Sequence, residues 1–192
     1  MKKNKENPVP AAAEGGEQVK TSEFFEWIQC IVVALVVSIV IFLFFGRTVG
    51  VIGGSMETTL FEGDRLLISD LFYTPENGDI VVLRQPSFRD EPIVKRVIAV
   101  GGQTVDIDFE NAIVYVDGKA LDEPYLQDFS YFESQDFDRQ RTVPEGCIFV
   151  LGDNRNASTD SRTDAIGCVD VRNVLGKVLW RITPLDSFGS VY

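Results

Sequence analysis

One apolar run constrains the fold of this chain more than any other feature. Residues 28–45 form an uncharged stretch of 18 residues in which only two side chains are strongly polar. As a helix rising about 1.5 Å per residue, the stretch spans roughly 27 Å, close to the thickness of a bilayer's hydrocarbon core. Aromatic residues at its ends, Trp27 and Phe45, suit the membrane interfaces. The pattern predicts a transmembrane helix over residues 27–45.

Other structures fit this run less well. A buried core helix shows polar positions at helical spacing, which are nearly absent here, and a buried strand is shorter. A cleaved signal peptide has an apolar region of about 7–15 residues that ends at small residues. Here the run ends in Phe-Leu-Phe-Phe, followed by Gly46-Arg47-Thr48. We expect an uncleaved anchor that contacts membrane lipid through residues 27–45.

Basic residues on either side of the run predict its orientation, because cytoplasmic flanks carry an excess of Lys and Arg. The preceding segment contains more of them than the twenty or so residues that follow: Lys2, Lys3, Lys5 and Lys20 against Arg47 and Arg65. The N-terminus is therefore predicted to be cytoplasmic and residues 46–192 extracytoplasmic. Residues 1–26 are rich in charge, Pro, Gly and Ala, which predicts a disordered cytoplasmic tail.

Residues 46–192 show short runs of β-branched and aromatic residues, separated by turn signals such as Asp117-Gly118. The runs predict strands over 65–68, 79–83, 93–100, 112–116, 147–151 and 174–182. Strands at this spacing predict a mainly β domain built from antiparallel sheets. The acidic, aromatic-rich stretch 122–141 matches no strand pattern, and we expect a long surface excursion there.

Composition excludes several kinds of chemistry. The chain has no His, so it has no Ser-His-Asp triad, no Cys-His pair and no His-ligated zinc. Its three Cys form no CxxC pair, which argues against thiolate zinc and redox motifs. A net charge of −11 argues against a nucleic-acid partner. Hydrolytic chemistry must therefore use carboxylates, hydroxyls or lysine.

Cys147 and Cys168 both lie in the predicted extracytoplasmic part. A disulfide between them would stabilise the fold by about 3 kcal/mol, because it would restrict the unfolded chain. The alternative is two separate buried cysteines that behave as small apolar residues. The sequence leaves both possibilities open.

Ser55 and Lys95 are a candidate nucleophile and base. Ser55 follows Gly53-Gly54, whose backbone permits positive φ and the close approach of a substrate, although a flexible hinge is the alternative. Lys95 lies beside Arg96 in an apolar run, so one of the two faces the interior or a cleft unless the second face is solvated. A lysine kept from water has a lowered pKa and can act as a neutral base.

A polar loop over residues 152–162 follows the predicted strand 147–151. Its Asp, Asn, Ser and Arg side chains suit a hydrogen-bonded scaffold around a site, and Asp160 and Arg162 suit an ion pair. An ordinary surface loop is the alternative. The spacing of the carboxylates does not follow the pattern of a calcium-binding EF-hand loop.

Four motifs resemble, in their order along the chain, the motif series of bacterial type I signal peptidases. They are Ser-Met-Glu-Thr-Thr-Leu at 55–60, Gly-Asp-Ile-Val at 78–81, Lys-Arg-Val-Ile at 95–98 and Gly-Asp-Asn-Arg-Asn-Ala-Ser-Thr-Asp-Ser-Arg at 152–162. With the preceding anchor, the resemblance covers about residues 27–183. It implies the antiparallel β-sheet catalytic domain of that family after a single transmembrane helix.

The resemblance also implies roles for individual residues. Ser55 matches the nucleophile, Lys95 the base and Ser158 a residue that orients the lysine. The residues implied to support the site are Asp153, Asp160 and Arg162. The implied activity is removal of signal peptides from exported pre-proteins at the outer face of the cytoplasmic membrane, with no metal or organic cofactor.

Three positions depart from the usual family pattern. Thr58 stands where the family usually has Pro, and Ala99-Val100-Gly101-Gly102 replaces the usual Gly followed by Pro-Gly. Gly53 stands where some members carry a Ser that helps to bind the oxyanion. This glycine resembles the Gram-positive branch, and it leaves the oxyanion to the Ser55 backbone N–H and a second, unidentified donor.

Two alternatives belong to other classes. A different Ser-Lys peptidase, such as a self-cleaving repressor of related β architecture, would be soluble and carry a DNA-binding region, which the anchor and the acidic charge disfavour. A non-enzymatic, membrane-tethered β domain in surface assembly would have no reason to bring Ser55 and Lys95 together. The distance between these two side chains discriminates an enzyme from such a domain.

Overall fold

The structure is a computed structural model that describes residues 15–45, 47–126, 135–138 and 140–191. Within these residues it has one α-helix, α1 (Gly15–Phe45), and two short 3-10 helices, Val171–Asn173 and Leu185–Ser187. The described residues also form eleven β-strands: β1 (Arg47–Gly50), β2 (Arg65–Ser69), β3 (Ile80–Gln85), β4 (Arg89–Val100), β5 (Thr104–Asp108), β6 (Ile113–Val116), β7 (Lys119–Ala120), β8 (Gln140–Thr142), β9 (Cys147–Leu151), β10 (Val169–Asp170) and β11 (Val174–Thr183).

Helix α1 begins at Gly15, well before the predicted start at Trp27. The structure thus differs from the predicted disordered tail over residues 15–26; residues 1–14 lie outside the described part. No Pro or Gly follows Gly16 before the apolar run, and extending an existing helix costs little. The part from Glu23 to Val40 is long and apolar enough to cross a membrane.

The chain divides into two compact units, residues 1–43 and residues 44–192. In the second unit the described strands form two antiparallel sheets. The larger has seven strands in the order β1-β2-β11-β3-β4-β9-β10, and the smaller has four in the order β7-β6-β5-β8. The prediction of a mainly β, antiparallel domain is confirmed, and each of the six predicted strands is present within one or a few residues.

The centre of the larger sheet is buried on both faces. Along β3, Ile80 and Val82 pack into one apolar cluster, whereas Val81 and Leu83 pack into another. Because successive side chains of a strand point to opposite faces, a strand covered on both sides is apolar throughout. This double cover lets the neighbouring strand β4 carry Lys95 into the interior of the domain.

The described residues of the predicted surface excursion over 122–141 are mostly exposed or half-buried, but two of them belong to the core. Leu126 and Phe137 are buried in the cluster beneath the smaller sheet, and the Phe137 ring lies edge-on to that of Phe149 at 5.5 Å. The abundant acidic residues around them concealed these two core positions. Residues 127–134 and 139 lie outside the described part of the chain.

Cys147 and Cys168 are free thiols in the structure, and both pack against the cluster beneath the smaller sheet. Burial raises the pKa of Cys168, which keeps its thiol protonated at neutral pH. Of the two possibilities that the sequence left open, the structure contains the pair of separate cysteines.

Candidate active site

Ser55 lies in a tight turn between β1 and β2. The neighbouring Met56 is 1% exposed and Leu60 is fully buried, so these two side chains anchor the turn in the core. Gly53 has φ of +79°, in the left-handed region that favours glycine. A Cβ at Gly53 would meet no atom within 4 Å, so the backbone conformation, not space, calls for glycine there.

The 152–162 loop holds this turn through two hydrogen bonds. The backbone N–H of Asn154 donates a 3.0 Å hydrogen bond to the carbonyl of Ser55. The Asn154 side-chain amide donates another, of 3.1 Å, to the carbonyl of Gly54. These bonds join positions about a hundred residues apart, so the turn is a fixed part of the domain. They argue against the flexible-hinge alternative.

Lys95 reaches the nucleophile turn from β4, where it pairs with Val81 of β3. Its residue is 3% exposed, and its Nζ lies 2.6 Å from Oγ of Ser55. Burial lowers the pKa of Lys95 from 10.5 to about 8, and the nearby carboxylate of Asp160 opposes this shift. The site therefore holds a hydroxyl in contact with an amine that loses its proton near neutral pH.

Arg96, the next residue, is buried as well. Its guanidinium donates two hydrogen bonds to the Asp153 carboxylate, at 2.8 and 2.7 Å, and one to the carbonyl of Gly78 at 2.9 Å. The Thr59 hydroxyl donates a 2.5 Å hydrogen bond to the same carboxylate. Asp153 thus ties the lysine strand to the nucleophile turn. Both basic residues of this run, Lys95 and Arg96, are therefore buried in the protein interior.

The Gly78-Asp79 motif supports the same strand. Besides the Gly78 carbonyl that binds Arg96, the Asp79 carboxylate accepts hydrogen bonds from the Tyr73 hydroxyl at 2.8 Å and the Glu76 N–H at 3.1 Å. It also pairs with the ammonium of Lys177 at 2.6 Å. These contacts fix the start of β3 beside the stretch of β4 that carries Lys95.

Asp160 and Arg162 form the ion pair predicted from the sequence. Both side chains are fully buried, and the guanidinium Nε and Nη2 lie 2.8 and 2.9 Å from the two carboxylate oxygens. Asp160 also accepts a 3.1 Å hydrogen bond from the Gly152 N–H, and Arg162 donates to the Arg155 carbonyl at 2.6 Å. The pair therefore holds the 152–162 loop in a closed shape.

Comparison with known proteins identifies the family. The family model described as "Signal peptidase, peptidase S26" matches residues 24–183. This chain belongs to the signal peptidase family. It is 34% identical over 177 residues to a probable signal peptidase I-1 of Synechocystis sp., with 86% of each chain covered. It is also 34% identical over 183 residues to signal peptidase IB of Staphylococcus aureus, with 86% of this chain and 93% of the relative covered.

A crystal structure of a signal peptidase I from Enterococcus faecalis is 32% identical and covers 55% of this chain and 97% of its own, with a TM-score of 0.43. The family model and the two curated relatives, one of them from a Gram-positive bacterium, confirm the resemblance inferred from the four motifs. Family membership makes the chain a serine peptidase and therefore a hydrolase. The role of each site residue remains a prediction.

Ser158 differs from what the signal-peptidase motif implies. It is 4% exposed and packs against Gly152 so closely that a Cβ on that glycine would overlap the Ser158 side chain and the Ser55 carbonyl. Its Oγ makes no hydrogen bond to any described residue, Lys95 included. Ser158 thus lies beside the nucleophile turn, but the structure lacks the bond through which it would orient the lysine.

Sequence reasoning missed several residues that build the site of this signal peptidase. Arg96 and Arg155 lie inside the motifs and are 4% and 3% exposed. The apolar run around Arg96 pointed to its burial, whereas Arg155 lies between two asparagines and carried no such signal. Glu123 and Tyr125 lie in the stretch without a recognisable pattern, and no sequence signal pointed to them. In the part of the chain that the structure describes, no three Cys, Asp or Glu side chains group closely enough to hold a metal ion.

Proposed function

We propose that this chain is a membrane-anchored serine endopeptidase in which Ser55 and Lys95 form a catalytic dyad that removes signal peptides from exported pre-proteins. The observation that carries the proposal is the 2.6 Å distance between Lys95 Nζ and Ser55 Oγ, with the lysine buried. A general base must lie within about 2.6–3.2 Å of the atom whose proton it takes.

The lowered pKa of Lys95 makes this chemistry possible near neutral pH. With a pKa of about 8, about a tenth of the molecules carry a neutral amine at pH 7. With the ordinary value near 10.5 the neutral fraction would be smaller by a factor of roughly 300. Burial therefore provides a neutral amine that can act as the base, and its contact with Oγ places this amine beside the nucleophile.

The reaction has two halves. Neutral Lys95 takes the Ser55 proton as Oγ attacks the scissile carbonyl, and the backbone N–H of Ser55 is a donor for the oxyanion. The lysine ammonium then gives that proton to the leaving amine, which releases one product and leaves an acyl-enzyme. A water that Lys95 deprotonates hydrolyses the ester and restores Ser55.

The remaining predicted site residues support the dyad. Asp153 holds the lysine strand through Arg96, and the Asp160–Arg162 pair closes the loop that binds the nucleophile turn. Gly53 gives the turn its backbone conformation, and Ser158 fills the space behind Gly152.

Helix α1 is the proposed membrane anchor, with residues 27–45 in contact with lipid. The excess of Lys on its N-terminal side supports a cytoplasmic N-terminus and a catalytic domain at the outer face of the cytoplasmic membrane. An enzyme held at that surface meets emerging signal peptides at a raised effective concentration. This location fits a substrate whose apolar segment lies in the same bilayer.

The substrates are signal peptides with small residues at the −3 and −1 positions, and cleavage follows the −1 residue, as family membership implies. A cleavage segment in extended form can pair with an exposed strand edge. Strand β1 suits this purpose, because it is an edge strand of the larger sheet and leads directly into the turn that carries Ser55.

Both alternative classes lose support. A non-enzymatic domain gives no reason for a buried lysine in contact with a serine hydroxyl, on a turn that is held by hydrogen bonds from Asn154. A soluble Ser-Lys peptidase gives no reason for an apolar helix of membrane-spanning length.

Cleavage of a synthetic signal peptide by the full chain in detergent or vesicles tests the proposal. We expect wild type to cleave after the small residue at −1, and Ser55→Ala and Lys95→Met to lose at least 99% of the activity. Lys119→Met removes an exposed lysine and is the matched control, with activity near that of wild type. Residual turnover above a few per cent in Ser55→Ala would refute the assignment of the nucleophile.

A further inference from the structure

Glu123 and Tyr125, which together we call the clamp, contact the site from outside its four motifs. The Glu123 side chain is 8% exposed, and its carboxylate accepts hydrogen bonds of 2.5 and 3.2 Å from the guanidinium of Arg155. The same carboxylate accepts a 2.6 Å hydrogen bond from the Tyr125 hydroxyl. The clamp therefore holds the 152–162 loop through a buried ion pair.

Tyr125 extends these contacts to the two motifs that carry the dyad. The guanidinium of Arg96 lies 3.7 Å from the centre of the Tyr125 ring, in a cation–π contact. The Tyr125 carbonyl accepts a 3.1 Å hydrogen bond from the Thr58 hydroxyl. Arg96 directly follows Lys95, and Thr58 lies in the turn of Ser55. One residue thus contacts the neighbours of both dyad members.

The contact with Thr58 depends on a departure of this chain from the family pattern. Thr58 stands where signal peptidases usually have Pro, and proline has no hydroxyl to donate. The hydrogen bond from the nucleophile turn to the clamp therefore requires a side-chain hydroxyl at this position, which Thr58 supplies.

Arg155 transmits the position of Glu123 to the nucleophile turn. Its Nε donates a 3.0 Å hydrogen bond to the carbonyl of Gly152, and its own carbonyl accepts the 2.6 Å bond from Arg162. Gly152 in turn lies against the Ser55 carbonyl. A displacement of Arg155 would therefore move the backbone behind the nucleophile.

We propose that Glu123 and Tyr125 are positioning residues for the peptidase reaction, holding the nucleophile turn, the lysine strand and the 152–162 loop at the spacing that keeps Ser55 and Lys95 in contact. The inference rests on the proposed function. Its physical basis is that buried charges require partners, so a network of paired arginines has few ways to relax. A misplacement of about 1 Å can cost about a hundredfold in rate.

The main test compares Glu123→Gln with Asp122→Asn, an exposed neighbour that loses the same charge. We expect Glu123→Gln to lower kcat at least tenfold with KM within twofold of wild type, and Asp122→Asn to leave both unchanged. The acid limb of the pH–rate profile should move to higher pH, because a looser site admits water to Lys95. The charged groups around that amine keep their identity in the variant: Asp160, Arg89, Arg162 and Asp153.

Two milder variants keep the test decisive if Glu123→Gln fails to fold. Tyr125→Phe keeps the ring on Arg96 and removes the bond to Glu123, and Thr58→Val removes the bond from the nucleophile turn while nearly preserving volume. We expect each to lower kcat by roughly three- to tenfold, in line with a small misplacement of the dyad. Values of kcat within twofold of wild type for both would overturn the proposal, even if the melting temperature fell.

A readout that needs no turnover separates this inference from the proposed function. The pH dependence of Lys95 acetylation by acetic anhydride, followed by mass spectrometry of the full chain, reports the pKa of the amine. A higher pKa in Glu123→Gln than in Asp122→Asn supports the clamp, and equal values overturn it. If wild type cleaves no signal peptide, the proposed function fails, and the acetylation result still decides on the clamp.

Discussion

Replacing Lys95 by Met tests whether the amine is buried at a cost to folding. The substitution keeps the length of the side chain and removes the amine. On folding, this amine must give up either its proton or its hydrating water. If desolvation is the main influence on the amine, the variant is inactive and yet folds at least as stably as wild type at neutral pH.

The size of the effect follows from the pKa. The change from 10.5 to about 8 corresponds to roughly 3 kcal/mol, because one pKa unit is about 1.4 kcal/mol. Below pH 8 both the folded and the unfolded chain bind the proton, so the folded state bears this penalty in full. Between pH 8 and 10.5 the unfolded state binds more protons, and stability rises with pH.

The lost hydrogen bond to Ser55 reduces the gain by about 1 kcal/mol, and Ser55 is partly exposed, so water can replace the amine. We therefore expect Lys95→Met to be about 1 to 3 kcal/mol more stable than wild type at pH 7. The expected gain shrinks as the pH rises through 8 to 10.5, since wild type then loses the penalty.

Urea unfolding of the full chain in detergent, followed by circular dichroism at several pH values, measures this difference. Lys119→Met is the control, because that lysine is exposed and should shift neither the midpoint nor its pH dependence. A Lys95→Met variant less stable than wild type at pH 7 by more than about 1 kcal/mol would refute the argument from desolvation.

Three further variants probe the scaffold and the base. Gly152→Ala should unfold at a clearly lower urea concentration and lose most peptidase activity, because its Cβ would overlap Ser158; an unchanged midpoint would contradict the packing. Asp153→Asn should cost about 3 kcal/mol in unfolding free energy, because it leaves the Arg96 charge buried without its carboxylate, and a loss below about 0.5 kcal/mol would argue against a buried pair. Lys95→Arg should fold and lack activity at every pH tested, because guanidinium keeps its proton, and measurable cleavage would exclude a neutral base.

The strands that sequence predicted best are those whose burial is simplest. The apolar run of β3 reflects cover on both faces, and the same holds for β9, so the pattern and the structure coincide. Strand β5 alternates buried Val105 and Ile107 with polar residues, a pattern that was present but too short to stand out. The pairs of residues in β7 and β10 are strands only because a partner lies beside them.

The site shows a similar division. Ser55 and Lys95 could be named from their motifs, but no pattern in a single sequence states that residues 40 positions apart meet at 2.6 Å. The Asp153–Arg96 pair joins elements 57 positions apart, which depends on the pairing of β4 with β9. Glu123 and Tyr125 were unpredictable, because they lie in a stretch without a strand pattern and their partners come from three separate motifs.

The pH dependence of kcat/KM for a synthetic signal peptide tests whether neutral Lys95 is the base of the dyad. In the free enzyme the acid limb reports the pKa of the base. With Lys95 as the base, kcat/KM is expected to rise with pH through an apparent pKa near 8, the value to which burial lowers the pKa of Lys95. An acid limb below about pH 6 would instead indicate a carboxylate as the base, and would contradict the Ser-Lys dyad.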